Sequence, residues 1–320
     1  MKSSSKWSYV FGPVPSRRLG LSLGVDVIPK KVCTLDCVYC EVGPTDKRAL
    51  RRREYFPAEA IIAETEQALS ARTGIDHVSF SGSGEPTLNS KLGEIIRSVK
   101  QITSIPIAVI TNGTLLSFED VRYDLMAADV VLPSLDAVTQ EVFEKIDRPH
   151  PQLRIETIVE GLKEFRREFK GKFWLEIMFA KGYNDSEDQI RRMKEVMKEI
   201  QPDKIQLNTV TRPPSEHGVE PVSETRLKEI CAVFGERCEI IGIFNKRGTD
   251  RGEKSNLSEI LALLERRAMT LDGLMSSQNA TRDSIVDSLR ALKEAGLILS
   301  FVHQNEEHFR AKEPSEANHS

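Results

Sequence analysis

The chain has 320 residues, 39% of them hydrophobic and 29% charged, with a formal net charge of −3. That balance excludes a largely disordered chain and gives no electrostatic ground for broad nucleic-acid binding. Five cysteines are too few for a disulfide scaffold.

Met1 to Ser8 is polar, contains Lys2 and Lys6, and is followed by no apolar run. The longest apolar stretches, such as Ile105 to Ile110, are strand-sized, whereas a membrane span needs about 20 apolar residues. No membrane or export segment is therefore expected, and a cytoplasmic, reducing location is the default. In such a compartment clustered cysteines point to metal or redox chemistry.

Short apolar runs then alternate with longer amphipathic ones. Leu21 to Ile28 predicts a strand, and Pro57 to Ser70 a helix with Pro57 in its first turn. A strand at His77 to Phe80 precedes a helix at Lys91 to Ile102. The strand Ile105 to Ile110 leads to a helix at Ser117 to Met126, with Ser117 as its cap. Val130 to Leu135 is a strand, followed by helical stretches at Val138 to Ile146 and around Ile155 to Phe169. Phe173 to Phe179 is a strand, Ser186 to Ile200 a helix and Lys204 to Val210 a strand. Helix Glu224 to Phe234 precedes the apolar run Glu239 to Phe244. This is the pattern of βα units on a parallel sheet, with about six such strands, fewer than a closed eight-stranded barrel. The expected fold class is α/β, a partial (βα)6 TIM-like barrel, with its chemistry just after the strands.

Near Gly252 the pattern changes. Ser255 to Arg267, Thr270 to Ser277 and Thr281 to Ala295 predict three helices, and Leu297 to His303 pairs with His308 to Ala311 as a hairpin. This order suggests a winged-helix-like α+β module over 253–311, after a barrel over 1–252 and before a disordered tail over 312–320. From Glu253 onward eight Lys/Arg face eleven Asp/Glu. Arg282, Arg290 and Lys293 on the candidate recognition helix are offset by Asp283, Asp287 and Glu294. That is not a basic groove-reading surface, so packing on the barrel, protein or peptide recognition, or dimerisation is expected of it instead.

Three of the five cysteines, Cys33, Cys37 and Cys40, lie within one short segment. A structural zinc site closes with four ligands. No fourth Cys or His lies nearby, the nearest candidate being His77. Three cysteines around a four-iron cluster leave one iron open to a second ligand. A zinc site or three unligated thiols is the plainer alternative. Cys231 and Cys238 are expected to be core thiols.

The spacing C-x3-C-x2-C with aromatic Tyr39 before the last cysteine resembles the radical S-adenosylmethionine (SAM) superfamily, over roughly residues 9 to 245. The resemblance implies a [4Fe-4S] cluster on Cys33, Cys37 and Cys40 with SAM on the open iron. The turn Gly82-Ser83-Gly84-Glu85-Pro86 resembles the family's Gly-Gly-Glu-Pro motif, with Ser83 in place of one glycine, and implies that Glu85 holds the SAM amino group. Ser134 and Asp136 would contact the ribose and methionine portions, and Asn112 would line the same pocket. Phe179 and the loop Lys181 to Asp185 would flank adenine or substrate. As plainer alternatives, Asn112-Gly113 is an ordinary turn and Asp136 an ordinary helix cap.

The implied activity is reductive cleavage of SAM to a 5′-deoxyadenosyl radical that abstracts hydrogen from a substrate, with an electron donor such as flavodoxin or ferredoxin as partner. The opening Tyr9 to Gly20 and the segments Cys40 to Pro44 and Lys181 to Asp185 resemble the branch containing the tRNA-modifying 4-demethylwyosine synthases. Those enzymes carry further cysteines before the triad; this chain has none before Cys33. RNA or peptide is one substrate expectation and a small metabolite another. A non-catalytic iron–sulfur regulator is the alternative of a different class. The basic run Lys47, Arg48, Arg51, Arg52 and Arg53 is either a phosphate contact or a solvated face. Arg17 and Arg18 precede the first predicted strand and are placed to reach the site.

Overall fold

The computed structural model describes residues 7–45, 48–81, 83–241, 257–278 and 280–312. The larger of two sheets keeps its strands in sequence order from edge to edge. Strand β1 (Val10–Ser16) runs antiparallel to β2 (Gly20–Val25). Strands β3 (His77–Phe80), β4 (Ile107–Thr111), β5 (Val130–Pro133), β6 (Lys172–Phe179), β7 (Lys204–Thr209) and β8 (Cys238–Ile240) then add in parallel. The fold is thus α/β with a mostly parallel sheet, and the expected six strands become seven parallel ones plus β1. Strand β1 escapes the sequence pattern because Gly12, Pro13 and Pro15 break its apolar alternation. Prolines are tolerated there because β1 is an edge.

Helices α1 (Ala58–Ser70), α2 (Leu92–Ile102), α3 (Glu119–Leu125), α4 (Gln140–Ile146), α5 (Ile155–Glu168), α6 (Glu187–Ile200) and α7 (Glu224–Phe234) connect the strands. In α2, Leu92, Ile95, Ile96 and Val99 recur at helical spacing and are all buried. They meet the outer side chains of the sheet, including Val78, Val109 and Val131, in the main core. Each fully buried Leu, Ile or Phe contributes on the order of 2 kcal/mol to this packing. The expected cap Ser117 is not one. Turns that return Leu116 to Gly113 and Phe118 to Leu115 use up the segment, so α3 starts at Glu119 after Phe118 without a side-chain cap.

Alternate strand residues face inward. There Ala108, Val130 and Leu132 pack around Leu19 from the β1–β2 turn, while His77 Nδ1 hydrogen-bonds Leu19 O at 2.8 Å. The turn therefore folds into the inner face of the sheet.

The C-terminal part comprises α8 (Leu257–Arg266), β9 (Met269–Thr270), α9 (Leu271–Gln278), α10 (Arg282–Glu294), β10 (Ile298–His303) and β11 (Glu306–Ala311), with sheet order β10-β11-β9. Its own core of Ile260, Leu264, Leu274, Ile285, Leu292 and Phe309 also takes in Val14 of β1. Arg266 Nε pairs with Asp26 Oδ2 at 2.9 Å, and its guanidinium lies 4.6 Å from the Phe11 ring centre. Gln304 at the hairpin tip donates to Val210 O at 2.8 Å. These contacts dock the module on the first strand and on the loop after β7. Lys312, expected in a tail, donates from its backbone to Leu297 O at 2.9 Å. Residues 313–320, Gly242 to Phe244 of the last apolar run, and Ser255 and Asn256 of the first C-terminal helix lie outside the described residues.

Candidate active site

The parallel strands all end on one side, and their C-terminal loops meet there. The loop after β2 carries Cys33, Cys37 and Cys40, three half-buried free thiols. It is stitched to its neighbours by backbone hydrogen bonds: Lys31 N to Ser83 O, 2.8 Å; Glu85 N to Val32 O, 2.9 Å; Val38 N to Ile146 O, 2.9 Å. Gly84 explains the close approach of two of these loops. A Cβ there would sit 2.1 Å from Val32 O, so no other residue lets the chains meet this way. Gly82 and Lys47 lie outside the described residues.

Among the described residues no three His, Cys, Asp or Glu side chains are gathered as they stand around a position for a single metal ion. The donor set itself fits a [4Fe-4S] cluster. Burial pushes the Cys33 thiol up to about 12, with the Glu85 carboxylate adding to the rise. Cys37 is raised well above the ordinary thiol range by burial, then by Asp147, Cys33 and Cys40. Thiols this buried and this close do not ionise together without positive charge among them, which iron supplies. Two donors already point at the sulfurs: Asn112 Nδ2 lies 3.5 Å from Cys33 Sγ and Lys31 Nζ 3.6 Å from Cys40 Sγ.

Beside the loop a cavity is lined by Tyr39, Asn112, Ser134, Asp136 and Asp147, among others. Four of these five were expected from sequence. Glu85 is buried, and its carboxylate accepts from Thr87 N (3.0 Å), Thr87 Oγ1 (2.5 Å), Thr111 Oγ1 (2.6 Å) and Asn112 N (2.7 Å). Glu85 thus ties the end of β3 to the end of β4, while burial holds its carboxyl above the usual range despite these bonds. Ser83 is half-buried beside it, its carbonyl held by Lys31. Phe179 is fully buried in the main core and is not among the cavity-lining residues.

Asp136 accepts from Met178 N at 2.7 Å and from the Tyr39 hydroxyl. Burial raises its carboxyl, and it raises that of Asp147, which is already pushed up by burial. Sequence gave no sign of Asp147, which follows α4 and is distant in the chain. Nor did it single out Asn184 within its loop. That side chain is fully buried, donates to Asp136 O (2.8 Å) and Met178 O (2.9 Å), and accepts from Ala180 N (3.0 Å), clamping the two loops.

Two arginines of the basic run are held by tertiary contacts, while Arg51 and Arg53 are exposed. Arg48 donates to the carbonyls of Arg148 (2.8 Å) and Pro149 (3.2 Å), and Arg52 pairs with Asp120 and Asp124. Cys231 and Cys238, half-buried on α7 and β8, lie beside one another against the core rather than near the triad. An open depression between the ends of α5 and α6 lies at the opposite, N-terminal side of the strands. Its Lys163 is paired with Glu160 and Glu199.

Comparison with known proteins agrees with this layout. The radical SAM superfamily model matches residues 27–193. A UPF0026 protein of Methanocaldococcus jannaschii is 35% identical over 86% of this chain and 88% of its own length. A protein named GTPase Obg in Brachyspira hyodysenteriae is 37% identical over 93% of this chain, which spans only 44% of that protein. A radical SAM methyltransferase from Sphaerobacter thermophilus shares the fold at a TM-score of 0.52 and 15% identity, over 68% of this chain and 66% of its own. Among the described residues no helix is long and apolar enough to cross a membrane. With the family model spanning more than half the chain and the archaeal relative covered over most of its length, this chain is an enzyme of the radical SAM superfamily, whose members use a [4Fe-4S] cluster and SAM and need a reductant.

Proposed function

We propose that Cys33, Cys37 and Cys40 hold the cluster, that SAM binds on it beside the loops carrying Glu85 and Asp136, and that a 5′-deoxyadenosyl radical made there abstracts hydrogen from a substrate. The observation that carries this is the donor set: three half-buried thiols on one loop, with the buried carboxylates Glu85 and Asp136 on the loops beside it. The cluster, when bound and reduced by a donor such as flavodoxin or ferredoxin, supplies the electron that breaks the sulfonium carbon–sulfur bond. The chain's own groups then have distinct tasks. Glu85 Oε2, which among the described residues accepts only from Asn112 N, has capacity to accept from the SAM ammonium. Ser134 and Asp136 face the ribose and methionine, Tyr39 and Asn112 orient the loop, and Gly84 lets the cysteine loop pack against the Glu85 turn. The module over 253–311 is read as winged-helix-like, its helices and hairpin serving to cover the barrel rather than to read a nucleic acid.

Anaerobically reconstituted protein is expected to hold about four irons per chain, and Cys37→Ala to lose them. Reduction with SAM present is expected to release 5′-deoxyadenosine. An intact cluster that never cleaves SAM under any reductant overturns this function in favour of a regulator.

A further inference from the structure

The loop after β7 reaches across the mouth of the barrel to the cysteine loop. Strands β2 and β7 stand second and seventh in the sheet, with β3 to β6 between them, so the loops that follow them meet only because the sheet curls. Where they meet, Ser215 Oγ lies 2.9 Å from Cys37 O and 3.1 Å from Val38 O, sharing its one proton between the two carbonyls. Glu216 N donates to Val38 O at 3.1 Å. Arg212 Nη1 pairs at 2.5 Å with Glu41, the residue after Cys40, and Glu216 pairs with Arg148. Pro213 and Pro214 stand between Arg212 and Ser215. Their rings fix φ at about −65°, so this stretch is stiff before it makes contact.

These contacts fall on one half of the cysteine loop. The half with Cys33 is held by the loop of the adjacent strand, through Lys31 N to Ser83 O and Glu85 N to Val32 O. The half with Cys37 and Cys40 is a tight turn, in which Cys40 N donates to Cys37 O at 3.1 Å and Gly43 N to Cys40 O at 3.3 Å. One flank of that turn rests on the end of α4, with Val38 N donating to Ile146 O and Asp36 N to Asp147 O. Its other flank is held by Arg212, Ser215 and Glu216. A carbonyl oxygen has two lone pairs. Cys37 O uses one for the turn and one for Ser215. Because the peptide unit is planar, holding that carbonyl holds the plane joining Cys37 to Val38, and with it the directions in which two of the three thiols leave the turn. A turn fixed in this way spares an incoming metal centre the entropy of arranging its own ligands.

We propose that Arg212 and Ser215 are positioning residues for the cluster: they hold the Cys37–Cys40 turn in its ligating shape, and with it the amide surroundings that tune the cluster's reduction potential. The inference rests on the proposed function only in taking the cluster as the occupant of the three thiols.

The test uses the full chain, first free of iron and then anaerobically reconstituted. In the iron-free chain, amide hydrogen exchange reads the turn directly. Ser215→Ala and Arg212→Gln are each expected to speed exchange at the Val38, Cys40 and Gly43 amides at least about threefold, and Ser215→Thr and Arg212→Lys to restore most of the protection. Arg166→Gln, which breaks an ion pair with Asp203 on the far side of the strands, is expected to leave these amides unchanged. After reconstitution, Ser215→Ala and Arg212→Gln are expected to lose iron to a chelator at least about threefold faster than wild type. Both are also expected to shift the cluster's reduction potential, read by redox titration with electron paramagnetic resonance, whereas Arg166→Gln does neither. Circular dichroism screens the variants for folding. Wild-type exchange at all three amides in both variants, wild-type iron loss and potential in both, or the same changes in Arg166→Gln overturns the proposal. Faster exchange in a chain that takes up no iron counts against the cluster reading alone.

Discussion

Replacing Gly84 by alanine isolates the contact on which the cysteine loop depends. The new Cβ would lie 2.1 Å from Val32 O and 2.9 Å from Val32 C. Both are backbone atoms, so no rotamer change relieves the clash. Ordinary contact begins near 3.4 Å, so Val32 must retreat by more than 1 Å, and Cys33 is its next neighbour. The move also breaks the 2.9 Å bond from Glu85 N to Val32 O. Overpacking costs about 1–3 kcal/mol, and a buried hydrogen bond left unmade about 1–3 kcal/mol more. A total of about 4 kcal/mol lowers the thermal midpoint by on the order of 10 °C in a chain of this size. Gly43→Ala is the companion variant. It lies on the same loop at φ +97° with nothing within 4 Å, so it suffers only backbone strain of about 1–2 kcal/mol. Scanning calorimetry and iron content per chain are measured for both. If Gly84→Ala matches wild type, or costs no more than Gly43→Ala, the close approach of the two loops is not what shapes the cluster site.

Asn184→Ala removes three hydrogen bonds in a fully buried position. It is expected to destabilise the chain by about 2–4 kcal/mol and to weaken SAM binding by loosening Asp136, as read by denaturant melts and equilibrium dialysis; unchanged stability would falsify the clamp. Asp26→Asn tests pH linkage. Burial raises the Asp26 carboxyl in the folded state, outweighing Arg266, so the native state holds this proton more tightly than the unfolded chain. Its contribution to stability therefore falls as pH climbs from about 4 through the raised value. Asparagine does not titrate, so the difference in melting temperature between variant and wild type is expected to shift in the variant's favour across that window. A constant difference from pH 4 to neutrality counts against it.

Sequence alone determined the βα alternation, because apolar periodicity records which face of each element is buried. The parallel order of strands from His77 onward followed from it. The cysteine spacing and the glycine at position 84 were legible for a similar reason: their chemistry is local, confined to one loop or one tight contact. Strand β1 was hidden by its prolines, which an edge strand tolerates. Asp147 and Asn184 carried no local signal. Each is an ordinary polar residue until the barrel brings it against Asp136. Within the basic run, the places of Arg48 and Arg52 were likewise decided by tertiary pairing, with the carbonyls of residues 148 and 149 and with Asp120 and Asp124. Charge pattern along the chain shows which groups are ionisable. Only the fold decides which of them share a desolvated space, and Coulomb interactions depend on that distance rather than on sequence separation.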